Sequence, residues 1–122
     1  MINLNFRDAR PIYEQIKAGF RNLIATGAIA PGEKLPSVRE LAVELAINPN
    51  TIQRAYRELE QEGVICSVPG KGSFASDSGD VFRAQREELF RKFDETAGEL
   101  MQLGVTAGEL RARLDREGNT HD

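Results

Sequence analysis

A chain of 122 residues has room for one modest domain and an accessory element, not for a large catalytic core. One Cys and one His exclude a disulfide framework and argue against a multi-ligand metal site within one chain, and no cofactor is expected. The formal net charge of −3 sits unevenly. Residues 1–78 set nine basic side chains (Arg7, Arg10, Lys17, Arg21, Lys34, Arg39, Arg54, Arg57 and Lys71) against nine acidic ones, so residues 79–122 carry the whole deficit. With no signal-type leader and no apolar run long enough to span a bilayer, a soluble, cytoplasmic protein with no membrane partner is expected.

Arg10-Pro11 opens a first helix that turns Ile12, Ile16, Phe20, Leu23 and Ile24 inward and ends near Gly27. Residues 28–33 read as a turn. Pro36 biases Leu35 to an extended shape, so Ser37 becomes an N-cap with Glu40 completing a capping box. The helix that follows buries Val38, Leu41, Ala42 and Leu45. After the short connection Ala46-Ile47, Asn48 caps and Pro49 starts a further helix. Its apolar face is Ile52, Ala55, Tyr56 and Leu59, and its other face carries Asn50, Gln53, Arg54 and Arg57 with Thr51 at the edge. Gly63 ends it. Val64, Ile65 and Val68 then form a strand, Pro69-Gly70-Lys71-Gly72 a turn, and Ser73, Phe74 and Ala75 the return strand. Tyr13 and Tyr56 are expected to support the core with their hydroxyls bonded at its edge, and Cys66 to be a small buried residue.

Helix, tight turn, helix and glycine-tipped hairpin, in that order, are the parts of a winged helix-turn-helix. The expected fold is therefore mainly α with a small β-hairpin wing, an α+β arrangement. Arg forks onto guanine, and Asn or Gln pairs with adenine, so Asn50, Gln53, Arg54 and Arg57 are candidate readers of base edges and phosphates. Gly72 lets the wing backbone approach a sugar-phosphate chain, and Lys71 adds charge there. Each has a plainer reading: a solvated helix face, an Arg39 paired with a nearby Glu, and a Lys71 that only keeps a turn soluble.

Beyond the polar stretch 77–80, Phe82, Leu89, Phe90, Phe93, Ala97, Leu100 and Met101 recur at helical spacing. Gly104 caps that helix, Thr106 and Glu109 form a second capping box, and Leu110 and Leu114 mark a final short helix. His121 sits in a polar end and invites no role. A tail of this size cannot enclose its own core. Its apolar stripe must pack on the winged domain or on a second tail, and the second is favoured because helix-turn-helix proteins usually read two half-sites as two-fold dimers. The expected division is a DNA-binding domain over 1–76, a linker over 77–80 and a helical dimerisation tail over 81–122.

The residues Pro11-Ile12-Tyr13-Glu14-Gln15-Ile16 and Gly32-Glu33-Lys34-Leu35-Pro36-Ser37-Val38-Arg39-Glu40-Leu41-Ala42 carry a resemblance, as do Asn48-Pro49-Asn50-Thr51-Ile52 and Gly70-Lys71-Gly72-Ser73-Phe74. Over about residues 10–76 the chain resembles the DNA-binding domain of the GntR family of bacterial transcription regulators, and its tail resembles that of the YtrA branch. The resemblance implies that Ser37 and Arg39, the start of the second helix of the motif (Asn50, Thr51, Gln53, Arg54, Arg57) and the wing tip (Lys71, Gly72) touch operator DNA. It also implies tail-mediated homodimers, an inverted-repeat operator, repression, and control of a transporter operon. The chain departs from many members at Pro49, where they carry a basic or hydroxyl residue, and at Gln53, where they carry Arg. A small-molecule effector between tail and winged domain stays open. So does a second function class, a winged helix that binds protein instead of DNA. An enzyme is a poor third, since no nucleophile–base pair is in sight and Gly70-Lys71-Gly72-Ser73 lacks the spacing of a phosphate-binding loop.

Overall fold

The computed structural model describes residues 2–77 and 80–120, so Ser78 and Gly79 of the expected linker, and His121, lie outside the described residues. The elements run α1 (Ile12–Ala25), α2 (Val38–Leu45), α3 (Pro49–Gln61), β1 (Ile65–Val68), β2 (Gly72–Ala75), α4 (Asp80–Gln102) and α5 (Ala107–Thr120). They form two compact units, one to Phe82 and one from Arg83.

In the first unit the amphipathic faces close on one another. Ile16 and Phe20 of α1, Leu41 and Ala42 of α2, and Ile52, Ala55, Tyr56 and Leu59 of α3 are all buried in one cluster, together with Leu35, Val64 and Ile65. Phe20 and Tyr56 meet edge to face, with ring centroids 5.6 Å apart. The Tyr56 hydroxyl donates to the Pro36 carbonyl at 2.7 Å, which satisfies its one polar atom. Both helix starts of the motif are capped by side chains: Ser37 Oγ accepts from the Glu40 amide, and Asn48 Oδ1 from the Asn50 amide.

The wing pairs antiparallel in the register Ile65 with Ala75 and Val68 with Gly72. The turn expected over residues 28–33 does more than turn. Gly32 N–H donates to the Ala75 carbonyl, Ala75 N–H to the Glu33 carbonyl, and Leu35 N–H to the Ser73 carbonyl. A third extended segment therefore covers the outer edge of β2 and fastens the wing to the start of α2. Cys66, expected inside, is exposed. Only Ile65 of β1 is buried, because the hairpin has a packed layer beneath its base and none beneath its tip.

Phe82 also departs from expectation. It is buried in the core of the first unit, with Val81 packed beside it, so the stripe of the second unit starts after it. Helical periodicity identifies an apolar face but not the body that it packs on. In the second unit the turn between α4 and α5 is closed by Gly104 N–H to the Met101 carbonyl and Val105 N–H to the Leu100 carbonyl. The expected capping box is present in both directions: the Glu109 amide donates to Thr106 Oγ1, and the Thr106 amide to Glu109 Oε2.

Candidate nucleic-acid interface

The face of α3 opposite the core is polar and open. Asn50, Gln53, Arg54 and Arg57 are exposed on it, while Thr51 at its edge is half-buried. A groove of about 610 Å³ runs between α3, the start of α2 and the wing, and its walls include Ser37, Gln53, Arg57, Lys71 and Gly72. A second, smaller groove of about 430 Å³ lies along α3, with Asn50, Gln53, Arg54 and Arg57 on its walls. Gln53 and Arg57, one turn apart, line both. The structure therefore brings together most of the residues expected at DNA. Arg39 is exposed on α2 but lines neither groove.

Lys34 is a wall residue that sequence reasoning did not single out. Gly72 explains its place. A Cβ at Gly72 would stand 2.9 Å from Lys34 Cε and 3.7 Å from its ammonium nitrogen. Gly72 also has φ +123°, so its lack of a side chain serves both the wing's turn and the passage of Lys34. Lys34 and Lys71 thus place two ammonium groups around the wing groove.

Behind α3 lies a charge network that composition does not reveal. Lys17 of α1 is buried, and its ammonium reaches Glu58 Oε1 at 2.8 Å and Glu62 Oε2 at 2.7 Å. Arg21 holds the other Glu62 oxygen at 2.6 Å, and Arg54 Nε donates to Glu58 Oε2 at 3.1 Å. Burial opposes the charge of Lys17, yet the two carboxylates outweigh it and its pKa is raised. The Glu58 carboxyl is held below its ordinary pKa by Lys17 and then Arg54. Glu62 is desolvated, which works the other way, but Lys17 and Arg21 win and its pKa is lowered too. The network stitches α1 to α3, and it fixes the axis of the helix that carries the polar face.

This is the arrangement of a helix and wing able to enter a DNA groove and grip the flanking backbone. Residues 12–74 match the model of the bacterial regulatory proteins of the gntR family. The chain belongs to the GntR family. Among its relatives is the HTH-type transcriptional repressor YtrA of Bacillus subtilis, 47% identical over 78 residues, which are 64% of this chain and 60% of that repressor. The chain thus aligns with about three-fifths of the length of that relative. A GntR family transcriptional regulator from Listeria monocytogenes superposes with a TM-score of 0.71 at 36% identity, covering 91% of this chain and 98% of that one. The DNA-binding domain of AraR in complex with operator ORR3 superposes with a TM-score of 0.54 at 31% identity, over 61% of this chain and 89% of that one. As a GntR member the protein carries the winged helix-turn-helix DNA-binding domain of a transcription regulator. No helix among the described residues is long and apolar enough to cross a membrane.

Proposed function

We propose that the protein is a sequence-specific repressor that binds an inverted-repeat operator as a homodimer in the cytoplasm, with α3 in the major groove and the wing beside it. The observation that carries the reading is the convergence of Ser37, Gln53, Arg57, Lys71 and Gly72 on one groove. Asn50, Gln53 and Arg54 are the base-reading candidates, Arg57 and Lys71 the phosphate contacts, and Arg39 a flanking contact. The N-terminal end of α3 adds the pull of its helix dipole on phosphate. Repression is supported by the relative YtrA, a transcriptional repressor, and operator binding by the AraR complex.

The dimer reading rests on the tail. Leu89, Phe90 and Phe93 of α4 and Leu114 of α5 are exposed and line one open, almost wholly apolar cleft of about 510 Å³. Met101 is exposed as well, and Ala97, Leu100 and Leu110 are half-buried along the same pair of helices. Arg91, paired with Glu88 and Glu95, marks a polar side of α4. Exposed apolar surface of this kind marks an interface, and a second copy of the tail satisfies it by two-fold symmetry. Control of a transporter operon is the finer expectation, drawn from the YtrA resemblance, and transcript profiling of a deletion strain tests it. No effector is assigned.

The test is footprinting on the DNA upstream of the protein's own gene at two salt concentrations. Protection of an inverted repeat, weakening steeply as salt rises, is the expected result. Binding with no preferred site at either salt concentration overturns the reading.

A further inference from the structure

Of the two arginines on α3, one is free and the other is held. Arg57 has no hydrogen bond or ion pair among the described residues. Arg54 has three contacts. Its Cζ lies 3.6 Å from the centroid of the Tyr13 ring, its Nη2 donates to the Tyr13 hydroxyl at 3.0 Å, and its Nε donates to Glu58 Oε2 at 3.1 Å. Tyr13 comes from the first turn of α1, 41 residues away in sequence. We propose that Tyr13 is a positioning residue for DNA recognition: with Glu58 it clamps the Arg54 guanidinium in one orientation, ready to meet a base edge.

The geometry supports this in three ways. A guanidinium carries five N–H donors in a rigid fork. The clamp engages two of them, one on Nε and one on Nη2, and leaves the Nη1 pair and the second Nη2 hydrogen for a ligand. The carboxylate of Glu58 does not cancel the arginine, because Lys17 shares it. Lys17, Arg21 and Arg54 are ion-paired with Glu58 and Glu62, so the Glu58 carboxylate is divided between two cations. The arginine side chain is still 56% exposed. Stacking on an aromatic face also removes rotamer freedom that an unheld arginine would lose on binding. The neighbouring Glu14 carboxylate and then burial raise the pKa of the Tyr13 phenol, so the ring stays neutral beneath the cation.

This inference rests on the DNA-reading role given to Arg54 above, and a double-mutant cycle separates the two. The probe is a labelled duplex selected from a random pool by the wild-type chain, with binding read by fluorescence anisotropy and folding by thermal melting. Arg54→Ala is expected to weaken binding at least about five-fold. Tyr13→Leu is expected to weaken it about two- to five-fold, and Tyr13→Phe, which keeps the ring, less. In the Arg54→Ala background neither Tyr13 change is expected to matter further. Should Tyr13→Leu fold poorly, Tyr13→Phe carries the cycle alone. If Arg54→Ala weakens binding but the Tyr13 change costs the same fold-change in both backgrounds, Tyr13 is merely structural and the clamp is overturned on its own. If Arg54→Ala binds as wild type, the DNA role of Arg54 falls and the clamp falls with it.

Discussion

The two units use apolar side chains in opposite ways. In the first, Phe20, Ile52 and Leu59 are fully buried, and even the one inward lysine, Lys17, is satisfied by two carboxylates. In the second, Phe90 is 65% exposed and Leu114 53% exposed. A body with a closed core has finished folding within one chain. A helical pair that keeps its aromatics in water has not, and its stability belongs to whatever covers it. The contrast gives the helical pair its role: a tail without a core is sufficient if a second tail completes it.

The largest effect is expected in the first unit. Phe20→Ala, at the centre of the closed core, is expected to cost about 3–5 kcal/mol and to abolish a cooperative melt of the winged domain. The matching change in the tail, Phe90→Asp, is expected to leave that melt in place. It should convert dimer to monomer in sedimentation equilibrium and weaken operator binding by an order of magnitude or more.

The charge network gives an intermediate effect with a definite pH sign. Glu58 and Glu62 have folded pKa values below their ordinary 4.5, so their stabilisation is present above about pH 4.5 and is lost as pH falls through the lowered values. Lys17, with a raised pKa, contributes fully below its ordinary 10.5 and loses that contribution only as pH rises through its higher folded value. The melting temperature of the first unit is therefore expected to hold from pH 5 to 9 and to fall below about pH 4.5, with Glu62→Gln reducing the slope of that fall. Lys17→Met is expected to cost about 1–2 kcal/mol, because the carboxylates it leaves can turn to water.

The smallest expected effect concerns Ala46, which ends α2 in the left-handed region at φ 56°. Ala46→Gly relieves that strain but loosens the unfolded chain, so a net gain of about 0.5–1 kcal/mol in chemical denaturation is expected.

What could be read from the sequence was what local chemistry decides. Ser37 and Asn48 cap as their neighbours dictate, and the four apolar residues of α3 are all buried. The candidate DNA face followed from that periodicity, since the polar residues had only one side left. What could not be read depends on partners far along the chain. Lys17 looks like a solvent residue until Glu58 and Glu62 arrive from α3. The extended run at Gly32–Leu35 has no alternating pattern, and only its pairing with β2 makes it strand-like. Lys34 enters the groove because Gly72 leaves room for it, and Arg54 is oriented by a ring on another helix. Phe82 continues the stripe of α4 in sequence and leaves it in space.

The most direct test of the central claim, that an uncovered tail is completed by a second copy so that two winged heads read one site, is the mass of the protein–DNA complex. Native mass spectrometry on a duplex carrying the protected site, with wild type and Phe90→Asp side by side, gives it. Two chains per duplex for the wild type, and a single chain for the tail variant at the same concentration, are expected. One chain per duplex for the wild type, or two for both proteins, would contradict the account.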